Sequence, residues 1–107
     1  MLEKITHLND LFDCYEPLLT KKQRELFKLY YHHDLSLGEI AKQVNISRQA
    51  VYDTLKRVTS LLDDYETKLG LLAKEELIQK TIGDLEDIIS VTNDSRLQKI
   101  YQNLNKN

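Results

Sequence analysis

Arg48, Gln49, Lys56 and Arg57 fall within the ten-residue stretch "RQAVYDTLKR". An Arg guanidinium can take guanine bidentately and a Gln amide can take adenine, while Lys and Arg neutralise phosphates. Ser47, just upstream, is suited to hold a phosphate together with the helix N-terminus that it would cap. Asp53 departs from a simple phosphate-binding face: it could accept from a cytosine amino group, or mark a surface that meets protein. Tyr52 has a ring to stack and a hydroxyl to bond a phosphate, and equally the shape of a half-buried core tyrosine.

Other clusters carry less chemistry. His32 and His33 are adjacent, so on a helix their side chains point about 100° apart. With one cysteine in the chain and no second His pair, His32-His33-Asp34 reads as a polar helix end and no metal site is expected. Asp63-Asp64 and Glu75-Glu76 read as solvated faces. There is no Gly-rich phosphate loop and no nucleophile in a recognisable setting, so neither an enzyme nor a cofactor is expected. Cys14, which has no partner for an internal disulfide, reads as a small buried hydrophobe.

Groups that read bases must be held by a rigid element, and "SLGEIAKQVNISRQAVYDTLKR" is built as two short amphipathic runs hinged at "VNIS". A helix-turn-helix needs a small residue where its helices touch, supplied by Ala41, and a turn that reverses quickly, which Asn45 permits by tolerating left-handed backbone. Apolar residues must flank the turn, as Ile40, Val44, Ile46 and Val51 do. The second helix must start at once with a cap, Ser47, and present polar residues outward. Every one of these demands is met.

Around this pair the chain is expected to be all-α. Three Gly and one Pro in 107 residues leave little room for hairpins. Leu2, Ile5, Leu8, Phe12 and Tyr15 mark a first helix that Pro17 ends or kinks. Thr20 with Gln23 forms a capping box for a second helix, with Leu26, Phe27 and Tyr30 inward and a break near Asp34. Ser36 with Glu39 forms a second box, and Leu37, Ile40, Ala41 and Val44 supply the buried side of the third helix.

From Val51 the apolar positions Leu55, Val58, Leu62, Tyr65, Leu69 and Leu72 alternate steps of four and three, a heptad seam longer than a reading helix needs. After Gly70 the phase shifts, and Leu71, Ile78, Ile82, Leu85 and Ile89 carry it, so a bend, a loop or a new helix is expected between Gly70 and Glu75. A helix to about Ser90, a break at "TNDS" and a last helix with Leu97, Ile100, Tyr101 and Leu104 on one side complete the chain. The expected organisation is a single domain, residues 1–107, with a helix-turn-helix core at 20–59 and an acidic helical stem with C-terminal helices at 60–107.

The stretch "LLTKKQRELFKLYYHHDLSLGEIAKQVNISRQAVYDTLKRVTSLL" resembles region 4 of the sigma-70 family, with its E-I-A, turn, S-x-x-A-V and late Arg. The whole chain more closely resembles the small bacterial YlxM-like helix-turn-helix proteins, "SRQAVYD" being the most distinctive piece; the match is good over about residues 1–72 and loose over the tail. That resemblance implies a bacterial cytosolic regulatory protein. It also implies, through the family's gene neighbourhood, a link to the signal recognition particle pathway. The positions matching the sigma-type reading helix are Ser47, Arg48, Gln49, Tyr52, Asp53, Lys56 and Arg57.

Formal charge is distributed unevenly. Residues 36–59 carry four cations against two anions, while residues 60–87 carry three against eight. A weakly basic reading head on an acidic stem would bind DNA weakly alone, since affinity scales with the phosphates neutralised. Two heads would bind better, and the seam positions Val58, Leu62, Tyr65, Leu69 and Leu72 offer a homodimer surface. The same stripe serves equally to pack against the chain's own helices.

The expected partner is therefore double-stranded DNA. The competing expectation is an adaptor, for instance of the protein-targeting machinery, that keeps the helix-turn-helix as scaffold and meets its partner through Asp63, Asp64 and Glu66. No apolar run approaches the roughly 20 residues needed to span a bilayer, and "MLEKITHLND" has no signal-like apolar region, so no membrane partner and a cytoplasmic location are expected.

Overall fold

The computed structural model describes residues 2–106. Among them there are six α-helices and no strand, and they divide after Gly70 into two compact units.

In the first unit, helix α1 spans Leu2–Tyr15 and buries Leu8, Leu11, Phe12 and Tyr15. Leu2 and Ile5, expected on that stripe, are exposed. Pro17 ends α1 inside a 3-10 turn, Glu16–Leu18. Helix α2, Lys21–Phe27, opens on the expected capping box: Thr20 Oγ1 accepts from the Gln23 N–H at 3.1 Å and Gln23 Oε1 accepts from the Thr20 N–H at 2.9 Å.

α2 continues into one wide, π-helical turn, Lys28–His32. A wider turn takes more residues to come round, so the inward position moves one residue on. Tyr31, not the expected Tyr30, lies over Phe27, with ring centroids 4.6 Å apart, and Tyr30 is turned toward solvent. Phe27 stacks face to face on Phe12 at 4.3 Å. His32 meets both rings edge-on and its Nε2 lies 3.0 Å from Asn9 Oδ1, so this histidine serves packing. Asp34 then turns left-handed at φ 55°, and the Leu35 N–H reaches back to the Leu29 carbonyl at 3.1 Å to close the end.

Helix α3, Leu37–Val44, starts on the Ser36–Glu39 box. Asn45 follows at φ 59°, ψ 47°, and the Ile46 N–H donates to the Ala41 carbonyl at 3.1 Å. Helix α4, Arg48–Leu69, packs against α1, α2 and α3. Leu26, Ile40, Val51 and Leu55 form the centre of the helix-turn-helix, with Ala41, Val44 and Ile46 packed around them.

Further along α4, Val58 and Leu62 are fully buried within the one chain, and Tyr65 is half-buried with its ring 5.7 Å from that of Tyr15. The Tyr15 hydroxyl donates to Glu66 Oε1 at 2.6 Å, tying α1 to α4. Of the five positions expected at a dimer seam, Val58, Leu62 and Leu72 are buried in the single chain and only Leu69 is exposed. A four-three stripe marks a buried face without saying whether the cover comes from the same chain, and for Val58 and Leu62 α1 and α2 pack on α4.

α4 ends at Gly70, whose φ of 62° and N–H to the Glu66 carbonyl at 2.8 Å form a left-handed cap. This one residue makes the break expected between Gly70 and Glu75. The second unit is a helical hairpin: α5, Leu71–Val91, and α6, Ser95–Leu104. Ile82 is buried, and Ile78, Leu85 and Ile89 are half-buried on the same stripe. In α6, Leu97, Tyr101 and Leu104 are half-buried, whereas Ile100, expected beside them, is exposed. Asp94 caps α6 by accepting from the Arg96 N–H and guanidinium, both at 2.9 Å, and this partner holds its carboxyl below the ordinary value.

Candidate nucleic-acid interface

The turn between α3 and α4 is short because each end is capped without help from distant residues. Ser36 and Glu39 close the start of α3, and the Ser36 N–H and hydroxyl hold the Glu39 carboxyl below its ordinary value. Asn45 supplies the left-handed residue, and Ser47 Oγ accepts from the Ala50 N–H at 3.0 Å to start α4. The next helix thus begins at Arg48, three residues beyond Asn45.

Ser47, Arg48, Gln49, Tyr52, Asp53, Lys56 and Arg57 are all exposed. Val51, Leu55, Val58 and Leu62 face the opposite way into the core. The site residues read from the sequence therefore share one solvent-facing side of the first three turns of α4. Tyr52 is 48% exposed, which leaves its ring and hydroxyl accessible.

At the N-terminus of α4 the first backbone N–H groups have no intrahelical acceptor, which favours an anion there. Arg48 lies at this end, and Lys56 and Arg57 two turns further on. Among the described residues none of these three cations is in an ion pair, so their charge is not neutralised by the protein.

Gln49 Nε2 donates to Asp53 Oδ1 at 3.0 Å. The bond holds the amide against Asp53, one turn further on, and makes the carboxylate an orienting group for Gln49. Sequence reasoning treated the two separately, although their i,i+4 spacing was the signal. Lys42 is also exposed, in the last turn of α3, before the turn.

Among the described residues no three His, Cys, Asp or Glu side chains converge as metal ligands, and no helix is long and apolar enough to cross a membrane.

Residues 2–104 match the family described as "Putative helix-turn-helix protein, YlxM / p13 like". The chain is similar to UPF0122 proteins of Bacillus thuringiensis (strain Al Hakam), Bacillus cereus (strain Q1) and Bacillus anthracis (strain A0248). Each is 53% identical over 90 residues, covering 84% of this chain and 82% of the relative. With a match over nearly its whole length and relatives above half identity, the chain belongs to the UPF0122 family of YlxM/p13-like helix-turn-helix proteins.

Proposed function

We propose that this protein is a non-enzymatic regulator that binds double-stranded DNA in the major groove with the outer face of α4. The observation that carries the reading is the exposure of the whole polar set, Ser47 to Arg57, on one side of a helix whose other side is locked into the core. Arg48 and Gln49, in the first turn, reach base edges, with Asp53 orienting the Gln49 amide. Ser47 and the α4 N-terminus take one phosphate, and Lys56, Arg57 and Lys42 take others. Tyr52 lies between the two groups, placed to stack or to bond a phosphate.

The adaptor reading relied on Asp63, Asp64 and Glu66 as a docking surface. Asp63 and Asp64 are exposed, whereas Glu66 is half-buried and accepts the Tyr15 hydroxyl, which gives this one acid a place in the fold.

The test is a fluorescence-anisotropy titration of duplexes at low and physiological salt. Arg48→Ala should weaken binding to a preferred duplex by about 1–3 kcal/mol and relax the preference. Lys56→Ala should weaken all sequences alike and reduce the salt slope by about 1. Affinity unchanged in both variants overturns the reading.

A further inference from the structure

Helix α5 carries two parallel stripes. The inner one, Ile78, Ile82, Leu85 and Ile89, is buried or half-buried. The second, Lys74, Leu77, Thr81, Asp84, Ile88 and Val91, steps by three, four, three, four and three and is exposed throughout. Leu77 is 64% exposed, Ile88 47% and Val91 81%. Lys74, Thr81 and Asp84 are polar, so the apolar part of the stripe is Leu77, Ile88 and Val91, side chains left in water without a cover.

The charges indicate which cover fits. Lys80 and Asp87 flank the exposed stripe on the same side, one heptad apart, and neither is in an ion pair among the described residues. In a twofold antiparallel pair, residue i meets residue j while j meets i. Centred between Thr81 and Asp84, such a pair sets Leu77 against Ile88 of a second copy. It also sets Lys80 near Asp87 of that copy, and both contacts recur across the axis. The same register sets Thr81 against Asp84 and Lys74 against Val91, so the complementarity rests on Leu77 with Ile88 and on Lys80 with Asp87.

We propose that the protein forms a twofold homodimer through this face of α5, antiparallel, rather than through the seam of α4. The inference deepens the DNA reading and rests on it for its purpose, since two weakly basic heads neutralise twice the phosphates of one. The surface itself does not depend on DNA.

Sedimentation or light scattering of the full-length protein without DNA tests it. The wild type should show twice the chain mass, and Leu77→Asp with Ile88→Asp should show a single chain with unchanged helical circular dichroism. Leu69→Asp, on the α4 stripe, should remain dimeric. Lys80→Glu and Asp87→Lys should each weaken self-association, and an equimolar mixture should restore the dimer, because only the mixed pair is complementary on both sides. A wild-type monomer, a dimer indifferent to Leu77→Asp with Ile88→Asp, or no recovery on mixing overturns the proposal. A monomer that still selects DNA would sink this inference alone; a dimer that binds no DNA would sink the reading alone.

Discussion

Helices α4 and α5 are nearly the same length, 22 and 21 residues, and are held in different ways. α4 buries Val51, Leu55, Val58 and Leu62 along one stripe and presents polar residues opposite them. α5 buries Leu72 and Ile82 and leaves Leu77, Ile88 and Val91 exposed. Isolated helices are marginal in water, so burial of an apolar face supplies most of their stability. In α4 the stripe from Val51 to Leu62 is buried within the chain, and the opposite face is free for recognition. In α5 apolar surface is left over, and association can use it.

The largest expected effect separates the two helices by stability. Phe27→Ala removes the ring stacked on Phe12 at 4.3 Å and should cost about 3–5 kcal/mol. Leu77→Ala, on the exposed stripe of α5, should stay within about 0.5 kcal/mol in dilute solution. Denaturant melts of equal loss for both would erase the contrast.

Next, Tyr15→Phe removes the hydroxyl that ties α1 to Glu66 on α4. A loss of roughly 1–2 kcal/mol is expected, and an unchanged melt would mean that this bond does not hold α1 on α4.

A smaller effect lies at the turn that positions the reading face. Asn45 is left-handed, where a side chain other than Asn, Asp or Gly is strained. Asn45→Ala should cost about 1 kcal/mol, and Asn45→Gly should be close to neutral. Equal stability of the two would deny the turn its conformational demand.

The smallest effect is a pH dependence. Glu39 is held below its ordinary value by the Ser36 N–H and hydroxyl. Its contribution to the α3 cap is present above the unfolded-state pKa and is lost as pH falls through the lower folded-state value. Glu39→Gln should flatten that part of the acid limb of a stability profile, and an identical limb would separate the capping carboxylate from the acid transition.

Much of α4 was legible because its signals are local. Ser36 with Glu39, Asn45 and Ser47 each act within a few residues, and each appears in the structure as spelled. The exposed set from Ser47 to Arg57 follows from helical phase once the buried side is known. What lay beyond reading depends on long-range packing. The wide turn at Lys28–His32 moves Tyr31 inward in place of Tyr30, and the regular 3.6 period gives no sign of it. Val58 and Leu62 carry a perfect heptad rhythm that says nothing of its cover. On α5 the inner stripe is visible in the sequence, and because that one stripe accounts for a helix it masks Leu77 and Ile88 on another side.

The most direct measurement is selection of bound duplexes from a random library, followed by sequencing, for the wild type and for Arg48→Ala with Gln49→Ala. Matched circular dichroism would confirm that both are folded. The account predicts an enriched motif with the wild type that disappears in the double variant. Enrichment that survives intact in the variant, or none with the wild type at any salt, would contradict DNA reading by the outer face of α4.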